Sequence, residues 1–148
     1  MSRYGISDAE LATFGAVIIE VALVDFQVSA IHQMLCGDEG NGLRKRLNSV
    51  RKAIMASGDS EMSRLCKEFD WGMDRAVTAR DLIAHGIALA DEDSGAVTMF
   101  SPDRHSSMTV KEICTLLPKV QYAAKCATHM VWRLGGVPAP NPLPKRPR

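Results

Sequence analysis

Arg80, Asp81 and His85 stand close together in the run Arg80-Asp81-Leu82-Ile83-Ala84-His85-Gly86. A guanidinium stabilises negative charge on a phosphate, and an imidazole moves protons near neutral pH. Asp81 is one helical turn from His85, so its carboxylate is expected to accept a hydrogen bond from the ring and fix the tautomer. These three groups suit phosphate chemistry. Their angles set a condition on it. Residues five apart on a straight helix point about 140° from each other. Arg80 and His85 therefore hold one phosphate only if the helix deforms near Gly86, or if Arg80 of one chain meets His85 of a second across a two-fold axis.

The element that must carry them is a long amphipathic pattern. Met62, Cys66, Phe69, Met73, Ala76, Arg80, Ile83 and Ile87 recur at steps of four and three, which predicts a third helix over about 60–87. Arg80 falls on that packed stripe. An arginine there must be paired or await an anion, because burying an unpaired charge is costly. Asp74, Thr78, Asp81 and His85 share the neighbouring face. His85-Gly86 ends the pattern, so the plain alternative for His85 is a cation at a helix C-terminus. Trp71 lies off the main stripe and reads as a packing residue.

Arg80, the acidic Asp81, a short spacer and His85 resemble the signature of the HEPN superfamily. The resemblance rests on those six residues, with a helical layout over about 7–135 that agrees with it. It implies a small all-α protein, commonly a dimer. It also implies a metal-independent ribonuclease of the toxin–antitoxin or defence type, with Arg80 and His85 catalytic. Asn is frequent in the family at the position that Asp81 holds here.

The remaining chain supplies the frame. Ser7 and Glu10 form a capping box that opens the first helix. Leu11, Phe14, Ile18, Val21, Val24, Val28, Ile31 and Leu35 are its main stripe, widened by Ile19, Leu23, Phe26 and Met34; Cys36-Gly37 ends it. A helix apolar on two sides packs against several neighbours, including in one reading a second chain. Glu20 and Asp25 are either locally satisfied or reach the Arg80 site. Residues 37–42 read as a turn. Leu43, Leu47, Val50 and Ile54 then mark a second helix whose other faces carry Arg44, Lys45, Arg46, Arg51 and Lys52. Those cations are an ordinary solvated face or, for Arg44, Lys45, Arg46 and Lys52, an RNA-backbone contact surface. No aromatic is interleaved to stack on bases.

Ser57-Gly58-Asp59-Ser60 breaks the chain before the third helix. After it, Ala88-Leu89-Ala90 and Val97-Thr98-Met99-Phe100 flank the turn Asp93-Ser94-Gly95, giving a short β-hairpin or ordered loop. Residues 102–107 read as loop with His105 exposed. Thr109 and Glu112 form a second capping box, opening a fourth helix over about 110–134 with a kink at Pro118. Residues 137–148, with Pro138, Pro140, Pro142, Pro144 and Pro147, are a disordered or extended basic tail. The fold class is thus all-α: an antiparallel four-helix bundle in one domain, residues 1–136, with the short β-hairpin or ordered loop between helices three and four.

A net charge of +1 draws no nucleic acid through a global field, so any such binding needs a local patch. Cys36, Cys66, Cys114 and Cys126 form no CxxC pair and fit reduced core thiols of a cytoplasmic protein. The pairs His32/Cys36 and Cys126/His129 each offer two metal ligands and no completed set, so neither metal nor cofactor is expected. No signal peptide is expected. Nor is a membrane span, because Glu20, Asp25, Gln27 and His32 interrupt the apolar run of the first helix. Two functions remain. One is a homodimeric endoribonuclease that cleaves RNA by 2′-OH attack, with an antitoxin as possible protein partner. The other is a non-catalytic helical dimer that binds a nucleotide or a partner protein, with Arg80 an anion anchor or paired with Asp74 or Asp81 and His85 a helix end.

Overall fold

Ser7 starts the first helix through reciprocal bonds: its backbone N–H donates to Glu10 Oε2 at 2.8 Å, and its Oγ accepts from the Glu10 N–H at 3.2 Å. From that cap α1 runs over Asp8–Cys36 and stops at Gly37, whose left-handed φ of 76° closes the last turn. Val17, Val21, Val24, Val28 and Ile31 are buried along it, against α2 (Leu43–Ser57), α4 (Ala76–His85), α5 (Val110–Thr115) and α6 (Leu117–Leu134). By length and composition α1 is apolar enough to cross a membrane, and a third of its most apolar window is buried inside the fold. Its opposite face leaves Ile19, Leu23, Phe26 and Met34 exposed.

The structure, a computed structural model, describes residues 4–37, 42–103 and 105–148. Residues 38–41 of the turn expected at 37–42, and Arg104 of the loop expected at 102–107, lie outside the described residues. Helix content dominates, as the all-α reading anticipates, and a small antiparallel sheet accompanies it.

The helix expected over 60–87 is two helices. Asp59 caps α3 (Ser60–Met73), its Oδ1 accepting from the N–H groups of Glu61 and Met62 at 3.1 and 3.2 Å. The chain then turns through Asp74 and Arg75, and Arg75 adopts a left-handed φ of 62°. The turn is held from outside: Arg75 reaches the Ser107 carbonyl at 3.3 Å and Glu112 at 3.5 Å. It sends α4 onto α1 and the sheet, while α3 packs chiefly on α6. That second interface is tight at Gly72. A Cβ there would sit 2.6 Å from the Lys119 carbonyl oxygen and 2.8 Å from Ala123 Cβ.

The hairpin forms between β1 (Ile87–Ala90) and β2 (Val97–Ser101), with Ile87 opposite Phe100 and Ala90 opposite Val97. A third strand, β3 (Ser106–Thr109), pairs with β2, so residues 106 and 107 are strand where the sequence reads as loop. Val97, Met99 and Met108 turn one face of the sheet into the core. Thr109 Oγ1 caps α5 at the Glu112 N–H, 3.1 Å. The helix expected over 110–134 is also divided. α5 stops at Leu116, and Pro118 sits in the first turn of α6, where its missing N–H costs no helical bond. Beyond α6, residues 137–148 are extended without helix or strand. They are not a free tail, because Leu143 packs against the core and Arg146 is clasped by Glu68.

Candidate functional site

α4 presents the motif differently from the expected stripe. Its buried residues are Ala76, Val77, Ala79 and Leu82. Arg80 stands beside that face, its side chain 32% exposed. Its Nε and Nη2 both donate to Asp81 Oδ1, at 3.1 and 2.8 Å. Asp81 Oδ2 lies 3.9 Å from Arg44 Nη2 of α2. The carboxylate expected to orient His85 therefore binds Arg80 instead. An adjacent guanidinium offers two N–H groups to an anion, which outweighs one ring N–H a turn away. His85 is exposed in the last turn of α4. The helix stays regular to that point, so Arg80 and His85 leave its axis about 140° apart and about 7.5 Å apart along it.

Gly86 fixes the His85 end. Its N–H donates to the Leu82 carbonyl at 2.8 Å, and a Cβ would lie 2.4 Å from that same oxygen. Asp74, expected on the polar stripe with Asp81 and His85, instead caps the end of α3.

Between α2, α3 and α4 lies an open cleft of about 320 Å³ with Leu47, Met73 and Val77 on its walls. Its polar lining is Arg44, Asn48, Arg51, Asp70, Asp74, Arg75 and Thr78. Arg51 forks onto Asp70 at 2.8–3.1 Å and donates to Asn48 Oδ1 at 3.1 Å. Arg44 has a side chain 63% exposed and borders both this cleft and Asp81. The four cations proposed on α2 thus divide. Arg44, Lys45 and Lys52 are exposed, whereas Arg46 is only 14% exposed and pairs with Asp25 of α1. That pair removes Arg46 from any surface patch and Asp25 from the Arg80 site. Arg75 is the cleft cation that the sequence reading passed over. Nothing in its neighbourhood marked Met73–Ala76 as a helix break.

The thiols are free. Burial pushes those of Cys66 and Cys126 up to about 11, keeping them protonated and unreactive at neutral pH. Cys36 is exposed, so the expected set of core thiols holds three members at most. His32 is buried, and among the described residues no three His, Cys, Asp or Glu side chains gather as metal ligands.

No protein-family model matches this chain, and no curated protein or solved structure matches it.

Proposed function

We propose that the protein is a metal-independent endoribonuclease of the HEPN type, acting in the cytoplasm as a homodimer in a toxin or defence role. The observation that supports this best is the charged group on α4: Arg80 beside Asp81, Arg44 approaching from α2, and His85 exposed at the end of the same helix. RNA brings its own nucleophile. A general base takes the proton of the 2′-OH, and that oxygen attacks the adjacent phosphorus. The bond to the 5′-oxygen breaks, the leaving oxygen is protonated, and a 2′,3′-cyclic phosphate remains. His85 serves as base or acid. Arg80 exchanges Asp81 for the phosphate and stabilises its added negative charge. Asp81 is then the holder of Arg80 rather than the orienter of His85.

Because α4 is regular over Ala76–His85, this reading takes Arg80 of a site from one chain and His85 from a second. The exposed row Ile19, Leu23, Phe26 and Met34 on α1 supports a second copy, since self-complementary dimers bury such faces. An antitoxin-like protein is the further partner this reading implies. The test is purified protein incubated with RNA in EDTA, beside His85→Ala. Cleavage should persist in chelator, disappear in the variant, and fail when the 2′-OH before the cut is replaced by hydrogen. Full activity on the deoxy-substituted site, or a strict need for added metal, refutes the mechanism.

A second reading has its own observation. Arg80 already has a carboxylate partner within hydrogen-bond distance, as a structural ion pair requires. On that reading the protein is a non-catalytic helical dimer that binds a nucleotide or a partner protein, with His85 a helix-terminal cation. RNA cleavage that is the same in the wild type and in His85→Ala, at the level of a mock preparation, selects it.

A further inference from the structure

The end of the chain is held in a site built from two helices. On α3, Glu68 and Trp71 are three residues apart and share a face. On α6, Tyr122 meets Trp71 edge to face, with ring centroids 5.6 Å apart and planes at 84°. The Tyr122 hydroxyl donates to Glu68 Oε2 at 2.7 Å. Arg146 enters from the tail. Its Nε donates to Glu68 Oε2 at 2.7 Å and its Nη2 to Oε1 at 2.8 Å, while the guanidinium carbon lies 4.7 Å over the Trp71 ring.

Those are the separate demands of guanidinium recognition: a forked carboxylate, an aromatic face, and a buttress that fixes the carboxylate. A lysine lacks the fork. Pro144 and Pro147 flank Arg146 and favour an extended backbone with little ordering entropy to lose. Leu143 adds one apolar contact with the core. The other side chains of residues 137–148 lie mostly exposed, so the segment rests on the fold rather than in it.

We propose that the α3–α6 surface at Glu68, Trp71 and Tyr122 is a docking site for an extended segment of a partner protein that carries an arginine flanked by prolines. The chain's own residues 137–148 are its resident competitor. A tethered ligand works at an effective concentration on the order of millimolar, so the tail fills the site until a better segment displaces it. Most of the tail's side chains stay exposed while it is seated, which suits exchange. The site is independent of the motif on α4, and the proposal does not rest on ribonuclease activity.

The test uses the 148-residue protein and a fluorescein-labelled peptide with the sequence of residues 139–148, followed by anisotropy. Arg146→Ala empties the site without altering it and should bind the probe about tenfold more tightly than the wild type. A probe with alanine in place of its Arg146 should lose about tenfold on the same protein. Adding Trp71→Ala or Glu68→Gln to Arg146→Ala should abolish binding; the second change preserves shape if the first fails to fold. Equal binding by the wild type and Arg146→Ala, or by the two probes, overturns the proposal. So does a wild-type oligomer that the peptide dissolves, because the occupant is then the tail of a second copy.

Discussion

Arg46 and its neighbours on α2 separate two effects that the sequence alone merges. Suppose Arg44, Lys45 and Lys52 are replaced together by Gln, and Arg46 is replaced alone by Ala. The first three side chains are exposed and Arg46 is held against Asp25, so the two variants should fail in different ways. Each single-strand phosphate contact contributes about 0.7 to the slope of log affinity against log salt, so losing three flattens it by about 2. Over a fourfold rise in salt, the wild type should lose about 15-fold more affinity for RNA than the triple variant. Arg46→Ala should leave that slope unchanged and lower stability instead. An exposed ion pair contributes under about 1 kcal/mol, and breaking a fully buried one costs roughly 3–5 kcal/mol. Arg46 is 14% exposed and Asp25 34%, and the buried Arg46 Nε has no hydrogen-bond partner. About 2 kcal/mol is the expected loss, because the pair is partly exposed and the guanidinium already incompletely satisfied. Filter binding of labelled single-stranded RNA across a salt series measures the slope, and urea unfolding measures stability. A triple variant with the wild-type slope refutes the RNA-contact face. An Arg46→Ala protein of full stability and reduced slope refutes the inward placement of Arg46.

Further outcomes follow from other elements. If each site takes Arg80 from one chain and His85 from the other, Arg80→Ala and His85→Ala homodimers are both inactive, and refolding equal amounts together restores about a quarter of wild-type activity. Mixed dimers confirmed by mass that stay inactive exclude the shared site. Gly72→Ala forces a methyl toward the Lys119 carbonyl across the α3–α6 interface; it should cost about 2 kcal/mol and lower Tm by roughly 4–8 °C, which calorimetry checks. The Arg146 guanidinium, then the Tyr122 hydroxyl, hold the Glu68 carboxyl down to about 2 from its ordinary value of 4.5. Because the folded pKa is the lower one, the clasp contributes fully above about pH 4.5 and is lost as pH falls from there through about 2. Trp fluorescence of the wild type should change over that window, and the change should vanish in Arg146→Ala.

What could be read from the chain was local. The Ser7–Glu10 box, the stripe of α2 and the turn at 93–95 between two short strands each depend on residues within a few positions, and the structure places them as their spacing implies. The break between α3 and α4 was hidden because Met73 and Ala76 are both buried, so the apolar rhythm crosses the turn without losing phase. The contacts that hold it, Ser107 and Glu112, come from more than thirty residues away. Pro118 did announce a disturbance, but its position in a first turn rather than mid-helix depended on where α5 stopped. Around the site, Asp81 had two candidate partners within four residues, and spacing did not rank them. Arg46 looks like Arg44 and Lys45 in sequence; only the α1–α2 packing distinguishes it. The Glu68–Arg146 clasp joins residues seventy-eight positions apart and had no local signal.

The junction at Gly86 bears on how the chain tolerates changes in length. Its amide closes α4, its missing Cβ clears the Leu82 carbonyl, and β1 starts at the next residue. There is no slack: one residue added between His85 and Ile87 would exchange the two faces of β1 against β2, whose partner register is fixed from Ile87 to Ala90. The other end of the strand is built oppositely. Asp91 and Ala96 close a turn whose tip, at Glu92 to Gly95, is exposed. Insertions should therefore be absorbed at 92–95 and rejected at 86, which makes the hairpin tip the place to graft a tag, a cysteine label or a foreign loop while leaving α4 where it is.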